Sequence, residues 1–296
     1  MLAVVGAVPD DDLPLVEGEA SLQDDRILIE GYEIPVNRGT PALLAAAVKA
    51  GEALNGPLPL ACLVGDTGRG HGSRRLYDHL VRGGGALRAG VVVFHYLQPD
   101  VDWHNKVLFA VEECTPRPTL IADAGFMYAA KMSGQSEAYD LFTPDAGELA
   151  FLADEEAPHP FYTRGFILHE ENRIPELIER AYAHKNAARC LLVKGKQDHV
   201  ATGNGIHAVI DHPANEALEA MGGTGDSLTG VASALIASGT ETLEAAVLAA
   251  RVNRLAGHLA DPTPAGQVME VIEQIPAAMA ELLEREKAAR ESQRRG

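Results

Sequence analysis

Short apolar runs alternate with segments of helical periodicity over much of this chain. The runs cover residues 60–64, 91–94, 119–122 and 190–193, and each ends in residues that favour turns. Uninterrupted apolar runs of this length are typical of strands buried on both faces, as in a parallel sheet. Because helical segments separate the runs, we predict an α/β fold of three layers, with a mainly parallel central sheet flanked by helices.

The predicted helices lie between and after these runs. They cover residues 40–54, 73–82, 102–113, 145–153, 174–188, 241–259 and 267–290. We interpret Thr40-Pro41 as a helix start, since a capping residue precedes a proline whose fixed backbone angle suits the first helical position. These helices would cover both faces of the sheet.

Beyond residue 193 the pattern changes from parallel strands to a hairpin. Asn204-Gly205 separates two short β-like runs, and this dipeptide is a strong hairpin signal. A smaller hairpin is predicted around Glu30-Gly31. It falls within residues 1–38, which we predict to be an acidic, β-containing N-terminal extension of a single domain spanning residues 1–296.

Composition limits the classes of partner. A formal net charge of -17 at pH 7 suits neither nucleic acid nor an anionic membrane surface, since both are bound through basic residues. No apolar run approaches the ~20 residues of a membrane span. The three cysteines are far apart and favour neither a disulfide framework nor a zinc site. We therefore predict a cytoplasmic protein that acts on a small molecule.

A glycine-rich turn, Gly-Gly-Thr-Gly-Asp at residues 222–226, directly precedes an apolar helix pattern. We call it the cradle turn, because glycines allow close approach to a ligand and the N–H groups of a helix start attract anions. Asp226 is unexpected there, since like charges repel. The conflict is resolved if Asp226 accepts a hydroxyl proton while backbone amides stabilise a phosphoryl group in transfer. The alternative is that Asp226 only caps the helix.

Polar residues follow the predicted strands, at the edge where ligands of open α/β sheets bind. They are Gly65-Asp66, His95-Tyr96, Asp123-Ala124-Gly125, the segment 143–148 and Lys194-Gly195. Within residues 143–148, Asp145 and Glu148 lie on one side of a first helical turn and could hold Mg²⁺ through water. The same pair could instead simply stabilise the helix start.

Lys194-Gly195, the hairpin and the cradle turn together resemble the C-terminal half of the ribokinase superfamily. Within it, the chain is most similar to the NAD(P)H-hydrate dehydratases, which repair damaged nicotinamide cofactor at the expense of ADP or ATP. The segment 143–148 resembles the superfamily's magnesium-associated Asn-x-x-Glu segment. The similarity is good over residues 119–150 and 190–258 and loose over 39–114.

The resemblance implies a role for each matched residue. Asp226 would be the catalytic base, and Gly223, Thr224 and Gly225 the anion hole. The nucleotide would be lined by Lys194, Gly195, Lys196, Gln197, Asp198 and Gly225. Asp145 and Glu148 would bind Mg²⁺ through water, and the substrate side would comprise Ala42, Gly68, Asp123 and Asp145. The implied cofactors are ATP or ADP and Mg²⁺, and self-association is implied as well.

Two substitutions on the substrate side distinguish the chain from the dehydratases. Asp145 stands where they have histidine, and Gly125 where they have a second carboxylate. Three interpretations therefore stay open: a dehydratase-like enzyme, a kinase of a sugar or vitamin precursor, and a nucleotide-sensing protein without chemistry. Each retains a nucleotide at the cradle turn.

Residues 154–173 lack a counterpart in the family and carry several aromatic and cationic side chains. A long segment of this composition beside a site is predicted to be either a lid over the substrate or a packed surface excursion.

Overall fold

The computed structural model describes residues 1–157 and 173–295, with side chains described to residue 285. The strands are β1 (Leu2–Val8), β2 (Val16–Glu19), β3 (Ser21–Gln23), β4 (Arg26–Ile29), β5 (Tyr32–Pro35), β6 (Leu60–Gly65), β7 (Val91–His95), β8 (Thr119–Ala122), β9 (Leu141–Phe142), β10 (Cys190–Val193), β11 (Asp198–Thr202) and β12 (Gly205–Ile210). The helices are α1 (Thr40–Ala53), α2 (His71–Val81), α3 (Val101–Glu112), α4 (Phe126–Met132), α5 (Ala146–Ala153), α6 (Ile174–Ala183), α7 (Ala217–Ala220), α8 (Thr224–Ala237), α9 (Thr242–Ala260), α10 (Val268–Glu273) and α11 (Ile275–Arg295). Short 3₁₀ helices cover Gly85–Arg88 and Ser136–Ala138.

The main sheet has nine strands in the order β12-β11-β10-β9-β8-β7-β1-β6-β2. Its central part, from β6 to β10, is parallel, while β2 and β11 run antiparallel to their neighbours. One face packs against α1, α8, α9 and α10, and the other against α2 to α6. The predicted three-layer α/β fold with a mainly parallel sheet is confirmed. Within the described residues, every helix is too short or too polar to cross a bilayer.

β1 lies at the centre of this sheet, between β6 and β7. All its residues are buried, and Val4 and Val5 contribute to the hydrophobic cores on opposite faces. The prediction that residues 1–38 form an extension is therefore wrong for residues 2–8. A run that is apolar throughout is what a strand buried on both faces requires. The hairpin predicted at Glu30-Gly31 is confirmed, since β4 and β5 pair antiparallel across it.

The helix boundaries differ from prediction at two places. The helix predicted over residues 267–290 is two helices, α10 and α11, separated at Gln274. Pro276 lies at the start of the second, where it lacks the N–H that a continuous helix would need. At α1, the N-cap is Gly39 rather than Thr40, and the Thr40 hydroxyl donates instead to the Ala7 carbonyl at 2.7 Å.

α1 and α8 pack unusually closely because the residues between them are small. A Cβ atom added to Gly230 would lie 2.2 Å from the Leu43 carbonyl oxygen and 2.9 Å from the Ala46 Cβ. Any side chain at residue 230 would thus force the helices apart. This close contact brings the first turn of α1 beside the first turn of α8, where the site residues lie.

His104 on α3 makes stability depend on pH. Its side chain is fully buried, with Nε2 2.9 Å from the Tyr139 hydroxyl, and burial lowers its pKa to about 4. An unfolded histidine has a pKa of about 6.5, so between these values only the unfolded chain binds the proton. We expect the free energy of unfolding to fall by up to ~3 kcal/mol as the pH is lowered through this window.

Urea unfolding at several pH values between about 7 and 4 measures this effect. His104→Gln, which cannot be protonated, should show a shallower fall than the parent over the same range. Equal pH dependence in the two proteins would contradict the assignment to His104.

Candidate active site

Asp226 lies in the first turn of α8, just after Gly223, whose left-handed backbone (φ 101°) lets the chain turn sharply into the helix. Its side chain is buried, and both carboxylate oxygens have partners. Oδ2 accepts the Gly39 N–H at 2.7 Å, and Oδ1 lies 3.1 Å from His95 Nε2. The carboxylate therefore does not cap α8, which rules out the simple capping alternative.

His95, the last residue of β7, is a site residue to which sequence reasoning gave no role. It is fully buried, and its Nδ1 lies 3.0 Å from the Thr40 hydroxyl. That hydroxyl donates its hydrogen to Ala7, so at His95 it must accept. Since Nε2 faces the Asp226 carboxylate, both ring nitrogens are positioned to donate, and the charge of His95 lowers the pKa of Asp226. The sequence marked this position in one way: the polar dipeptide His95-Tyr96 directly follows the apolar run at residues 91–94.

Asp123, which follows β8, is paired with Lys194, which follows β10. Lys194 Nζ lies 2.8 and 3.0 Å from the two carboxylate oxygens, and the Thr229 hydroxyl donates to the same carboxylate at 2.8 Å. Although burial raises the pKa of Asp123, the charges of Lys194 and His95 outweigh it and lower that pKa. For Lys194, burial lowers the pKa, and the surrounding carboxylates, Asp123 foremost, raise it above its usual range.

Asp123, Lys194, His95 and Asp226 thus form a group of two anions and two cations, which we call the buried ion cluster. His95 Nε2 lies 3.8 Å from Asp123, which connects the two pairs. Ligand atoms of His95, Asp123 and Asp226 lie within 4.8 Å of one another, as in a metal site. Their hydrogen bonds to Lys194, Gly39 and each other already occupy these atoms, however. A metal ion would have to displace the Lys194 ammonium, so the cluster fits an ion-pair network better.

Hydrogen bonds from neighbouring side chains hold the cradle turn in place. The Asn253 amide donates to the Thr224 carbonyl at 3.1 Å and accepts from the Ser227 hydroxyl at 2.7 Å. The first N–H groups of a helix have no partner within it and carry its positive dipole end. The structure therefore places the amides of Gly223, Thr224 and Gly225 together at the start of α8.

The turn at residues 194–198 is partly open to solvent. Gly195, Lys196 and Gln197 are exposed, whereas Asp198 is buried. The Asp198 carboxylate accepts the Gly195 N–H at 3.1 Å and Arg254 Nε at 2.7 Å, and burial raises its pKa. The Asp198 side chain therefore fixes this turn, and the nucleotide contact that the resemblance implies for it stays a prediction.

Asp145 and Glu148 begin α5 and form a capping box. Each carboxylate accepts the other residue's backbone N–H at 2.8 Å, and Glu148 also accepts the Tyr128 hydroxyl at 2.9 Å. Burial, together with the charges of Asp145 and Asp123, raises the pKa of Glu148 to about 8. The pair therefore stabilises the helix start. Two adjacent carboxylates whose repulsion a cation would relieve also fit a hydrated Mg²⁺.

Two predicted substrate-side residues lie apart from this group. Ala42 lies on the core-facing side of α1 and is fully buried, so its side chain does not reach a surface. Gly68 is exposed on the loop after β6, and its N–H donates to Asp66 at 3.1 Å. Of the lid predicted over residues 154–173, residues 158–172 lie outside the described residues.

Comparisons with known proteins agree on one family. A sequence model of the NAD(P)H-hydrate dehydratase family matches residues 97–276. An uncharacterised protein of Methanocaldococcus jannaschii is 41% identical over 73% of this chain and 88% of its own length. An ADP-dependent (S)-NAD(P)H-hydrate dehydratase of Cenarchaeum symbiosum is 29% identical over 53% of this chain, which is half of that enzyme.

Solved structures show the same fold at low sequence identity. An ADP/ATP-dependent NAD(P)H-hydrate dehydratase of Bacillus subtilis superposes with a TM-score of 0.57 at 16% identity, covering 95% of this chain and 91% of that one. A ribokinase-like superfamily protein of Enterococcus faecalis gives 0.58 at 16% identity, covering 95% and 86%. The sheet and helices described above therefore form a ribokinase-like fold.

Proposed function

This chain belongs to the NAD(P)H-hydrate dehydratase family, and from that membership we propose that it dehydrates a hydrated nicotinamide cofactor at the expense of ADP or ATP. The observation that carries the proposal is the position of Asp226. Its carboxylate lies at the positive end of α8, beside backbone amides suited to a phosphoryl group. A proton acceptor next to an anion cradle is what phosphorylation of a hydroxyl requires.

The proposed reaction begins at the hydroxyl of the hydrated ring. Its oxygen forms a bond to the terminal phosphorus of the nucleotide, the bond to the leaving AMP or ADP breaks, and the proton passes to Asp226. The ring C–O bond then breaks, phosphate leaves with the electron pair, and loss of a neighbouring proton completes a double bond. The amides of Gly223, Thr224 and Gly225 would stabilise the group in transfer.

Asp226 is kept ionised for this role. Burial raises its pKa, but the hydrogen bond and charge of His95, the charge of Lys194 and the Gly39 N–H outweigh burial and lower it. The carboxylate is therefore unprotonated at neutral pH. Such a base accepts the proton best once the hydroxyl oxygen has begun to bond phosphorus, because that oxygen then becomes more acidic.

The remaining predicted residues are assigned by position. Mg²⁺, bound through water by Asp145 and Glu148, would offset the charge on the donor phosphates. Gly195, Lys196 and Gln197 would line the nucleotide, while Lys194 would border it and hold Asp123 on the substrate side. Gly68 is proposed as a more distant substrate contact. Ala42 is left out, since it is buried.

The proposal is tested by incubating the protein with hydrated NADH or NADPH and either ADP or ATP. We expect the absorbance of reduced nicotinamide to return as AMP or ADP is formed. A stable phosphorylated product from a sugar or vitamin precursor, with the hydrated cofactor unchanged, would favour the kinase alternative instead. Tight nucleotide binding with no turnover of any substrate would favour the sensing alternative.

A further inference from the structure

We propose that Arg38 is a further catalytic residue, whose guanidinium binds the phosphoryl group in transfer at the edge of the cradle turn opposite Lys194. This inference rests on the proposed function. It assigns a role to a residue that lies outside the cradle turn, the Asp145–Glu148 pair and the buried ion cluster.

Arg38 lies alongside the first residue of the cradle turn. A Cβ atom added to Gly222 would be 3.6 Å from Arg38 Cδ and 3.9 Å from Arg38 Cβ. At the other end of the turn, a Cβ atom added to Gly225 would be 3.7 Å from Lys194 Nζ. The amides of the turn are therefore bordered by a cationic side chain at each end.

The two cations differ in what else they bind. Lys194 is half-buried, with 12% of its side chain exposed, and is paired with Asp123, so it balances a charge already present in the site. Arg38 is exposed, and among residues 1–157 and 173–285 no carboxylate lies within ion-pair distance of it. This is notable in a chain with 42 acidic and 25 basic residues. Its guanidinium can therefore bind a phosphate group without first breaking an ion pair to a carboxylate of the described residues.

The backbone connects Arg38 directly to the proposed base. The next residue, Gly39, has a left-handed backbone (φ 70°) and donates its N–H to Asp226 Oδ2 at 2.7 Å. A guanidinium can bind two phosphate oxygens at once and retains its charge at any working pH. An arginine placed here would therefore hold the phosphoryl group while the adjacent amide holds the carboxylate that takes the proton.

Arg38→Gln tests the inference, with Arg38→Lys as the conservative variant. The matched control is Arg88→Gln, which removes an exposed arginine just before β7, at the opposite end of that strand from the site. In the proposed reaction we expect Arg38→Gln to lower kcat by about 10³-fold, at the lower end of the effect of arginines that stabilise phosphoryl transfer. Arg38→Lys should recover part of kcat, and Arg88→Gln should resemble the parent.

A second measurement does not depend on the substrate. ADP with aluminium fluoride imitates the group in transfer from ATP, and AMP with aluminium fluoride imitates transfer from ADP. The affinity of each complex relative to its nucleotide alone is measured by calorimetry in the same proteins. For the complex that the parent binds more tightly than the nucleotide alone, we expect Arg38→Gln to lose about 10-fold or more of that difference, with the affinity for the nucleotide alone and the thermal midpoint little changed.

Equal discrimination by the parent and Arg38→Gln would overturn the role of Arg38, whatever the substrate. If the parent leaves hydrated cofactor unchanged but Arg38→Gln still loses the fluoride-dependent affinity, the proposed dehydration fails and the role of Arg38 stands. The two inferences can therefore fail separately.

Discussion

Asp226→Asn should lower turnover about a thousandfold while nucleotide still binds nearly as tightly as in the parent. Asparagine has almost the same shape but cannot accept the substrate proton. It also leaves one donor unsatisfied, because its amide nitrogen would face either His95 or the Gly39 N–H. The measurement is kcat at saturating nucleotide and hydrated cofactor, together with nucleotide affinity by calorimetry.

Asp261→Asn is the control for this change, since it removes the same charge at an exposed position at the end of α9. Its left-handed backbone (φ 43°) is one that asparagine adopts readily. Turnover of Asp226→Asn within a few-fold of the control would show that another group takes the proton.

Lys194→Met should lower the free energy of unfolding by about 3–5 kcal/mol, the largest stability effect we expect in the site. The substitution keeps the aliphatic length but leaves Asp123, whose side chain is only 2% exposed, without its cationic partner. His95 would then face two carboxylates with one positive charge. Urea unfolding of the variant and the parent measures the loss.

Asp123→Asn in the Lys194→Met background should restore much of this loss, because the double variant removes both charges of the pair. Lys196→Met, an exposed position nearby, should leave stability almost unchanged. Strictly additive effects at residues 123 and 194 would contradict the ion pair.

The parallel core of the sheet was predictable because four of its strands are short apolar runs bounded by turn residues. β9 was not, since two residues carry no periodicity. β1 was missed for a different reason. Its apolar run is followed by an acidic segment, so residues 1–38 were predicted to be one extension rather than a core strand followed by an extension. A strand buried on both faces shows no alternation that would have separated it.

The residues around Asp226 were only partly predictable from local patterns. Glycines and a following helix pattern marked the cradle turn within a few residues of sequence. His95, by contrast, is 131 residues from Asp226, and Asp198 is 56 residues from Arg254. Partners this distant are brought together by the order of strands, so the burial of Asp198 and the charge of His95 required the structure.

The central position of β1 also bears on how the chain folds. β1 is synthesised before β6 and β7, the two strands between which it pairs. Both edges of β1 can therefore be paired only after the chain has been made as far as residue 95, the end of β7. Asp226 then needs Gly39 and His95, which come from much earlier in the chain. Contacts of such long sequence separation form slowly and late. We therefore expect the Asp226 carboxylate to reach its partners only near the end of folding, after the central sheet has formed.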